Sequence, residues 1–231
     1  IGGAALIGLL AILGYRLNKF RIDRNYQRQF SEALLYTQEE ERKRIARDLH
    51  DSIGQSLLLL KKEMSLNHSV TSSNEIMIAD TLEEVRSISR NLHPIHLEKF
   101  GLTATLIDTL EKVEKSSNLF VSKEIDEIDD LLKKESEIQL FRIIQEALNN
   151  IIKHAEATAI KLSIQKNKND IEVEIQDNGK GFNIKNVQQK SESLGLRTMR
   201  ERIATIGGSI EFKTPMESGT AININIPIKK Y

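Results

Sequence analysis

The 231-residue chain contains no cysteine and no tryptophan, and aromatic residues make up only 5% of it. The absence of cysteine excludes disulfides and thiolate metal sites, and it suits a reducing compartment. With so few aromatic residues, the core must consist mostly of Ile, Leu and Val. The 33 basic and 33 acidic residues cancel, so composition gives no reason to expect direct nucleic-acid binding.

Residues 1–15 form a continuous apolar run that is followed by Arg16, Lys19 and Arg21. The run is slightly shorter than the roughly 20 residues of a typical span. Its basic flank favours a short or partial membrane helix over a buried core helix, with the rest of the chain in the cytoplasm. Because the sequence begins with Ile rather than Met, we expect it to start within a longer protein of the inner (cytoplasmic) membrane.

Residues 16–96 show helical periodicity throughout. A juxtamembrane signalling helix is expected at 16–38, followed by a dimerisation and phosphotransfer domain at 39–96. Within that domain, apolar stripes predict helices at 40–64 and 75–92. The stripe of the first helix consists of Ile45, Leu49, Ile53, Leu57, Leu60 and Met64. Two amphipathic helices joined by a loop form an antiparallel hairpin, which we expect to pair with a second copy as a dimeric four-helix bundle.

His50 follows a stripe position of the first helix, so its ring is expected to face water beside Asp51. A solvated imidazole is in large part neutral and nucleophilic at neutral pH, and the neighbouring carboxylate could orient it or accept its proton. Gln55 lies four residues past Asp51 on the same side of the helix. An isolated His-Asp pair on a helix surface can equally be no more than a solvated polar pair.

Residues 97–231 alternate between helical and strand periodicities. Helices are expected at 103–116, 136–154 and 195–206, with strands near residues 120–128, 160–164, 171–175, 210–212 and 222–226. This order predicts an α/β sandwich with a mostly antiparallel sheet. With the preceding helices, the fold class of the chain is α+β.

A first nucleotide-site feature lies on the 136–154 helix, where Glu146 and Asn150 share a face with Lys153 and His154. A carboxylate and a carboxamide on one face can hold a hydrated Mg²⁺, and a lysine supplies charge for phosphate. Asn149 competes with Asn150 for this position, but the Glu-x-x-x-Asn spacing favours Asn150.

Two glycine-rich features follow this helix. In the first, Asp177 can accept a hydrogen bond from an exocyclic amine, while Gly179 and Gly181 let the backbone approach a flat base. In the second, a polar segment at 183–193 is expected to act as a mobile flap. It leads into a helix start whose N–H groups suit phosphate oxygens. The residues of this second feature are Ser193, Gly195 and Leu196.

The chain resembles bacterial two-component sensor histidine kinases of the NarX/DesK-like class from about residue 39 to its C-terminus. The histidine box of the family is similar to ERKRIARDLHDSIGQ and its asparagine box to FRIIQEALNNIIKH, while its glycine boxes are similar to DNGKGF and SLGLRTMRERI. The family has a dimerisation domain and an ATPase domain of the gyrase, Hsp90 and histidine kinase type. Ser193 departs from the pattern, since the family has a glycine there.

The resemblance implies a homodimeric kinase that uses ATP and Mg²⁺. His50 would be the phospho-acceptor, Asp51 its base, and Gln55 the residue tied to dephosphorylation of a response regulator with a helix-turn-helix output domain. Asn150 would bind Mg²⁺ with support from Glu146, and Asp177 would read adenine. Two other functions stay open: an ATPase or serine kinase on the same fold, and a dimeric scaffold that nucleotide merely locks.

Overall fold

The structure, a computed structural model, describes residues 2–66, 72–92, 94–182, 194–214 and 219–228. The chain divides into two compact units, Ile1–Glu41 and Arg42–Tyr231. The whole predicted flap at 183–193 and residues 67–71 of the predicted loop between the two hairpin helices lie outside the described residues.

Helix α1 spans Gly2–Asp48, so the predicted signalling helix runs without a break into the histidine region. Along this helix, Tyr26 and Phe30 are exposed, as is Leu34. Among the residues described, no helix is apolar over a sufficient length to cross a bilayer. The membrane span expected at 1–15 is therefore not found, because the 15-residue apolar run is too short and the helix turns basic from Arg16 onward.

The helical hairpin expected at 39–96 is present. A π-helical segment, Leu49–Gly54, continues α1 and leads into α2, Gln55–Leu66, while α3 spans Ser72–Leu92. The buried Ser89 hydroxyl on α3 donates to the carbonyl oxygen of Ala46 on α1 at 2.9 Å. This bond fixes the second helix against the first, next to the histidine turn.

The buried face of the histidine helix differs from the predicted stripe. Ala46 and Gly54 are buried, whereas Ile45, Ile53 and Leu60 are 36%, 43% and 47% exposed. Ala46 contacts α3 through its carbonyl oxygen, whereas Ile45, Ile53 and Leu60 stay partly exposed. The single chain thus leaves part of its apolar stripe uncovered.

Helix α4 spans Ile95–Ser116 and is interrupted at Gly101, whose φ of 81° is a conformation that favours glycine. The carboxylate of Asp129 accepts hydrogen bonds from the backbone N–H groups of Leu102 and Thr103 at 2.5 and 3.0 Å. It caps the helix that restarts there, which explains the predicted start at 103.

The described part of residues 97–231 contains a five-stranded sheet with the strand order β1-β2-β3-β5-β4. The strands are β1 Phe120–Ile125, β2 Ala159–Lys166, β3 Asp170–Asp177, β4 Ser209–Lys213 and β5 Thr220–Pro227. β1 lies at an edge and pairs parallel with β2, and the other pairs are antiparallel. The predicted mostly antiparallel sheet is confirmed.

Among the described residues, three helices share one hydrophobic core with this sheet: α4, α5 (Lys134–Asn150) and α6 (Leu194–Thr205). An apolar stripe of α5 is buried there and consists of Leu140, Ile144, Leu148 and Ile151. The inward residues of β2, β3 and β5 alternate along each strand and meet this stripe, so Ile and Leu dominate the core as composition required. A second π-helical segment, Ile151–Ala155, follows α5 directly.

Candidate functional site

A cavity of about 360 Å³ lies between α5, α6 and one face of the sheet. Its polar lining includes Asn150, Lys153, His154 and Asp177. Gly181 and Leu196 also line it, so residues from all three predicted features meet at one place. The volume lies in the range of small-molecule sites, which run from roughly 300 to 1,000 Å³.

Helix α5 and its π-helical end carry the polar side of the cavity. Asn150 closes the α-helix, and Lys153 and His154 lie on the π-helical segment. Asn149 does not line this cavity; it lines a separate one of about 300 Å³ between α4 and α5. Asn150, rather than its neighbour, thus lines the cavity with Lys153, His154 and Asp177.

The loop after β3 is held closely against the end of α5. Asp177 is only 3% exposed, and its Oδ1 accepts a hydrogen bond from the Gly179 N–H at 2.7 Å. A Cβ at Gly179 would lie 2.2 Å from the carbonyl oxygen of Ala155. Lys180 N–H donates to that same oxygen at 2.8 Å. Only glycine fits at this contact, so the loop geometry fixes the buried carboxylate at the wall of the cavity.

The start of α6 approaches the acidic side of α5 just as closely. A Cβ at Gly195 would lie 2.3 Å from Glu146 Oε1 and 3.7 Å from Asn150 Nδ2. The carboxylate of Glu146 and the amide of Asn150 therefore converge on one point of the α6 backbone. Ser193 lies outside the described residues, and Glu146, Gly179 and Gly195 do not line the cavity directly.

The second candidate centre is on the helical hairpin. The His50 and Asp51 side chains are 59% and 57% exposed, and Nδ1 of the ring lies 3.0 Å from Asp51 Oδ1. An ionised carboxylate can only accept, so a neutral ring that bonds Asp51 donates from Nδ1 and carries its lone pair on Nε2. The exposed position beside an acid, predicted from the sequence, is therefore confirmed.

Comparison with known proteins decides the family. Residues 41–97 match a family described as histidine kinase, and residues 135–230 match the histidine kinase-, DNA gyrase B- and HSP90-like ATPases. The first match contains His50 and the second contains the whole described cavity. The chain belongs to the histidine kinases. Its ATPase domain implies that it binds ATP.

Several curated proteins are similar to this histidine kinase over most of its length. It is 31% identical to the oxygen sensor histidine kinase NreB of Staphylococcus carnosus, an alignment that covers 90% of this chain and 62% of NreB. It is 32% identical to the histidine-protein kinase/phosphatase DegS of Brevibacillus brevis, over 89% and 56% of the two chains. The chain thus spans about 60% of the length of these relatives.

A solved structure shares the fold. The histidine kinase domain of the blue-light activated kinase EL346 from Erythrobacter litoralis superposes with a TM-score of 0.52 at 16% identity. The match covers 83% of this chain and 94% of that domain. It confirms the α+β architecture, with a helical N-terminal part and a sheet-containing ATPase domain.

The structure adds cavity residues of this kinase that the motifs did not single out. Thr220 lies opposite Asp177 in the β3-β5 register and also lines the cavity. Lys180 lines it too, and its ammonium bonds Glu156 at 2.7 Å, which lowers the pKa of that exposed carboxyl. The apolar floor consists of Ile175, Met199, Phe212 and Ile222. These residues come from several strands, α6 and the loop after β3, so tertiary packing brings them together. Their spacing in the sequence therefore does not predict that they line one cavity.

The π-helical segments of this kinase were also missed. The segment Leu49–Gly54 contains the His-Asp pair and ends directly before Gln55, and the segment Ile151–Ala155 contains Lys153 and His154. Hydrogen bonds in a π-helix join residues five apart, so α-helical periodicity does not reveal such segments.

Proposed function

We propose that the chain is the cytoplasmic part of a sensor histidine kinase that phosphorylates itself on His50 and passes the phosphoryl group to an aspartate of a response regulator. The observation that carries the proposal is the exposed His50 ring, oriented by Asp51 in a chain that also contains a nucleotide cavity. Neither feature alone distinguishes a kinase from an ATPase.

In the proposed transfer, Nε2 of His50 attacks the γ-phosphorus of ATP. The bond between that phosphorus and the β,γ-bridging oxygen breaks, an N–P bond forms, and ADP leaves. The ring would gain positive charge, which the Nδ1 proton relieves by moving to Asp51 across the 3.0 Å contact. Positioning and charge neutralisation provide most of the acceleration in such reactions.

We assign the nucleotide contacts to the residues that line the cavity. Asp177 reads the exocyclic amine of adenine, and the apolar floor packs against the base. Lys153 and His154 lie on the phosphate side. The loops around the nucleotide would be formed by the backbone at Gly179, Gly181, Ser193, Gly195 and Leu196.

Glu146 and Asn150 fit a site for Mg²⁺. Their side chains converge at Gly195, and one carboxylate with one amide oxygen is a donor set that this ion accepts when phosphates supply further ligands. We propose that Asn150 is the protein ligand and that Glu146 supports the metal or its water. When bound, the ion would neutralise phosphate charge.

We propose further that the kinase acts as a homodimer and dephosphorylates its regulator. The uncovered apolar residues of the histidine helix are suited to packing against a second copy as a four-helix bundle. The relative DegS is named a kinase/phosphatase, and Gln55 follows the His-Asp pair directly after the π-helical segment. A regulator with a helix-turn-helix output domain remains our expectation for the partner.

The domain limits follow from this proposal. Residues 39–96 would form the dimerisation and phosphotransfer domain and 97–231 the catalytic domain, preceded by the signalling helix at 16–38. A membrane tether through the apolar residues 1–15 remains a proposal that rests on composition alone. Flotation of the purified chain with anionic vesicles, compared with a chain that lacks residues 1–15, tests it.

Uptake of label from γ-labelled ATP tests the activity. A histidine kinase yields protein-bound phosphate that is labile in acid and stable in base, whereas a serine kinase yields acid-stable phosphate. An ATPase or a nucleotide-locked scaffold retains no label on the chain. Absence of acid-labile label on a chain that binds ATP would overturn the proposal.

A further inference from the structure

We propose that a basic cleft beside His50, formed by Lys43, Arg47 and Lys99, binds the phosphoryl group that His50 carries. The inference rests on the proposed phosphorylation of His50 and extends it, because it names the residues that hold the phosphorylated product. None of the three belongs to the residues assigned above.

The cleft has a volume of about 250 Å³ and is lined by residues of α1, the π-helical segment and the start of α4. The lining consists of Lys43, Ala46, Arg47, His50, Asp51, Glu98 and Lys99. Three cations and the phospho-acceptor ring thus border one small space, which is large enough for a phosphoryl group and several waters.

Local structure explains why these residues meet. Lys43, Arg47 and His50 are spaced by four and three residues, so they share one face of the helix. Helical side chains lean towards the N-terminus, which tilts a ring at position 50 towards Arg47. The phospho-acceptor therefore stands at the C-terminal end of a basic stripe.

Lys99 comes from the short turn of helix between Pro94 and Gly101. The N–H of Leu97 donates to the Pro94 carbonyl at 2.8 Å, and the Leu97 side chain is buried. Glu98 forms an ion pair with Lys43 that ties this turn to α1. These two anchors hold Lys99, the next residue, at the cleft.

The charge balance of the cleft favours an additional anion. Three cations face two carboxylates, Glu98 and Asp51, which leaves a net charge of +1 with a neutral ring. Within the described part of the chain, neither Arg47 nor Lys99 forms a hydrogen bond or ion pair. A phosphoryl group brings a charge of roughly −2. Arg47 and Lys99 can bond its oxygens without giving up an existing partner.

Such contacts would stabilise phosphohistidine relative to the unmodified ring. Charge-assisted hydrogen bonds to phosphate are about twice as strong as neutral ones, although exposure to solvent weakens them. ATP and unmodified His50 are in equilibrium with ADP and phosphohistidine. We expect the cleft to shift this equilibrium towards phosphohistidine.

The test measures this equilibrium directly. The full chain is incubated with Mg²⁺ and defined ATP:ADP ratios at saturating total nucleotide, and the ratio of phosphorylated to unmodified His50 is read by intact-protein mass spectrometry. We expect Lys99→Gln and Arg47→Gln each to lower this ratio about five- to tenfold. Lys99→Arg, which keeps the charge, and Lys61→Gln, which removes an exposed lysine of α2 outside the cleft, should match the wild type.

An equilibrium ratio does not move when a substitution merely slows transfer, so the readout separates binding of the product from a structural effect. Circular dichroism and ATP affinity of each variant establish that it folds. If the wild type acquires phosphohistidine and both glutamine variants keep its ratio, the basic cleft is refuted while the kinase assignment stands. If the wild type acquires none at any ratio, the proposed function itself fails.

Discussion

The backbone of Gly195 at the start of α6 lies directly against the carboxylate of Glu146 on α5. A single added methyl group would come within 2.3 Å of Glu146 Oε1, a separation that real Cβ atoms do not show. Gly195→Ala must therefore displace either the helix start or the carboxylate that we place beside the metal.

We expect Gly195→Ala to reduce Mg·ATP-dependent autophosphorylation by about tenfold or more, because misplacing a positioned group by about 1 Å can cost as much as a hundredfold. Thr198→Ala, one turn later on the same helix, is the control and should leave the rate unchanged. A Gly195→Ala protein with wild-type kinetics would show that this contact has no role in catalysis.

Asn150 and Asn149 offer a matched pair for the proposed metal site, since they are adjacent but line different cavities. Asn150→Ala should abolish the Mg²⁺ dependence of ATP binding and lower autophosphorylation by about a hundredfold, without lowering the melting temperature. Asn149→Ala should retain both properties. Isothermal titration calorimetry of ATP binding at several Mg²⁺ concentrations measures this dependence. The same Mg²⁺ dependence in both variants would contradict the assignment of Asn150.

How much of this architecture the sequence predicts depends on whether a feature is local. The stripe of α5 and the alternation of β2, β3 and β5 are set by neighbouring residues, so their elements were predicted to within a few residues. The strand order and the position of Thr220 opposite Asp177 depend on pairing between distant segments. Local periodicity therefore does not predict the strand order or this position of Thr220.

The histidine helix shows a different limit. Its large apolar residues predicted a buried face, but Ala46 and Gly54 are buried instead, and such small residues carry little hydrophobic signal. Both functional stretches also contain π-helical turns, at Leu49–Gly54 and Ile151–Ala155. Such turns are frequent at functional sites, yet α-helical periodicity hides the extra residue.

Asp129 provides a stability prediction with a defined pH dependence. Burial raises its pKa, but hydrogen bonds from Thr103, Glu127 and Leu102 outweigh burial, so the pKa lies below the ordinary value of 3.8. Because the folded-state pKa is lowered, the stabilisation is present above about pH 4 and is lost as the pH falls through the folded-state value. Glu127 shows the opposite shift, since its bond to Asp129 raises its pKa from 4.5.

Asp129→Ala removes the cap of the helix that restarts after Gly101. We expect a loss of about 1–3 kcal/mol in the free energy of unfolding at pH 7. The loss should shrink below pH 4, where the wild-type carboxyl becomes protonated. Urea unfolding at pH 7 and pH 3 measures both values, with Glu114→Ala on the exposed side of α4 as control. A loss that does not depend on pH would contradict the ionised cap.

Gln55 separates two proposed activities of the histidine helix. An amide neither titrates nor attacks, but it can orient a water towards the acyl phosphate of a docked regulator. Gln55→Ala should leave autophosphorylation within a few-fold and slow regulator dephosphorylation by roughly a hundredfold. The half-life of phosphorylated regulator with Mg·ADP measures this; equal half-lives with wild type and variant, both shorter than that of the regulator alone, would refute the role.

The central claim is that His50 accepts the phosphoryl group, and a paired substitution tests it most directly. His50→Gln and His96→Gln are each incubated with γ-labelled Mg·ATP, and acid-labile label on the chain is measured beside ATP affinity. The ring of His96 lies 5.5 Å from that of Phe100 between centroids and is tilted 47° to it, and among the described residues no carboxylate bonds to it. We predict that His50→Gln binds ATP normally and takes up no acid-labile label, while His96→Gln is labelled like the wild type. Undiminished acid-labile label on His50→Gln would contradict the account.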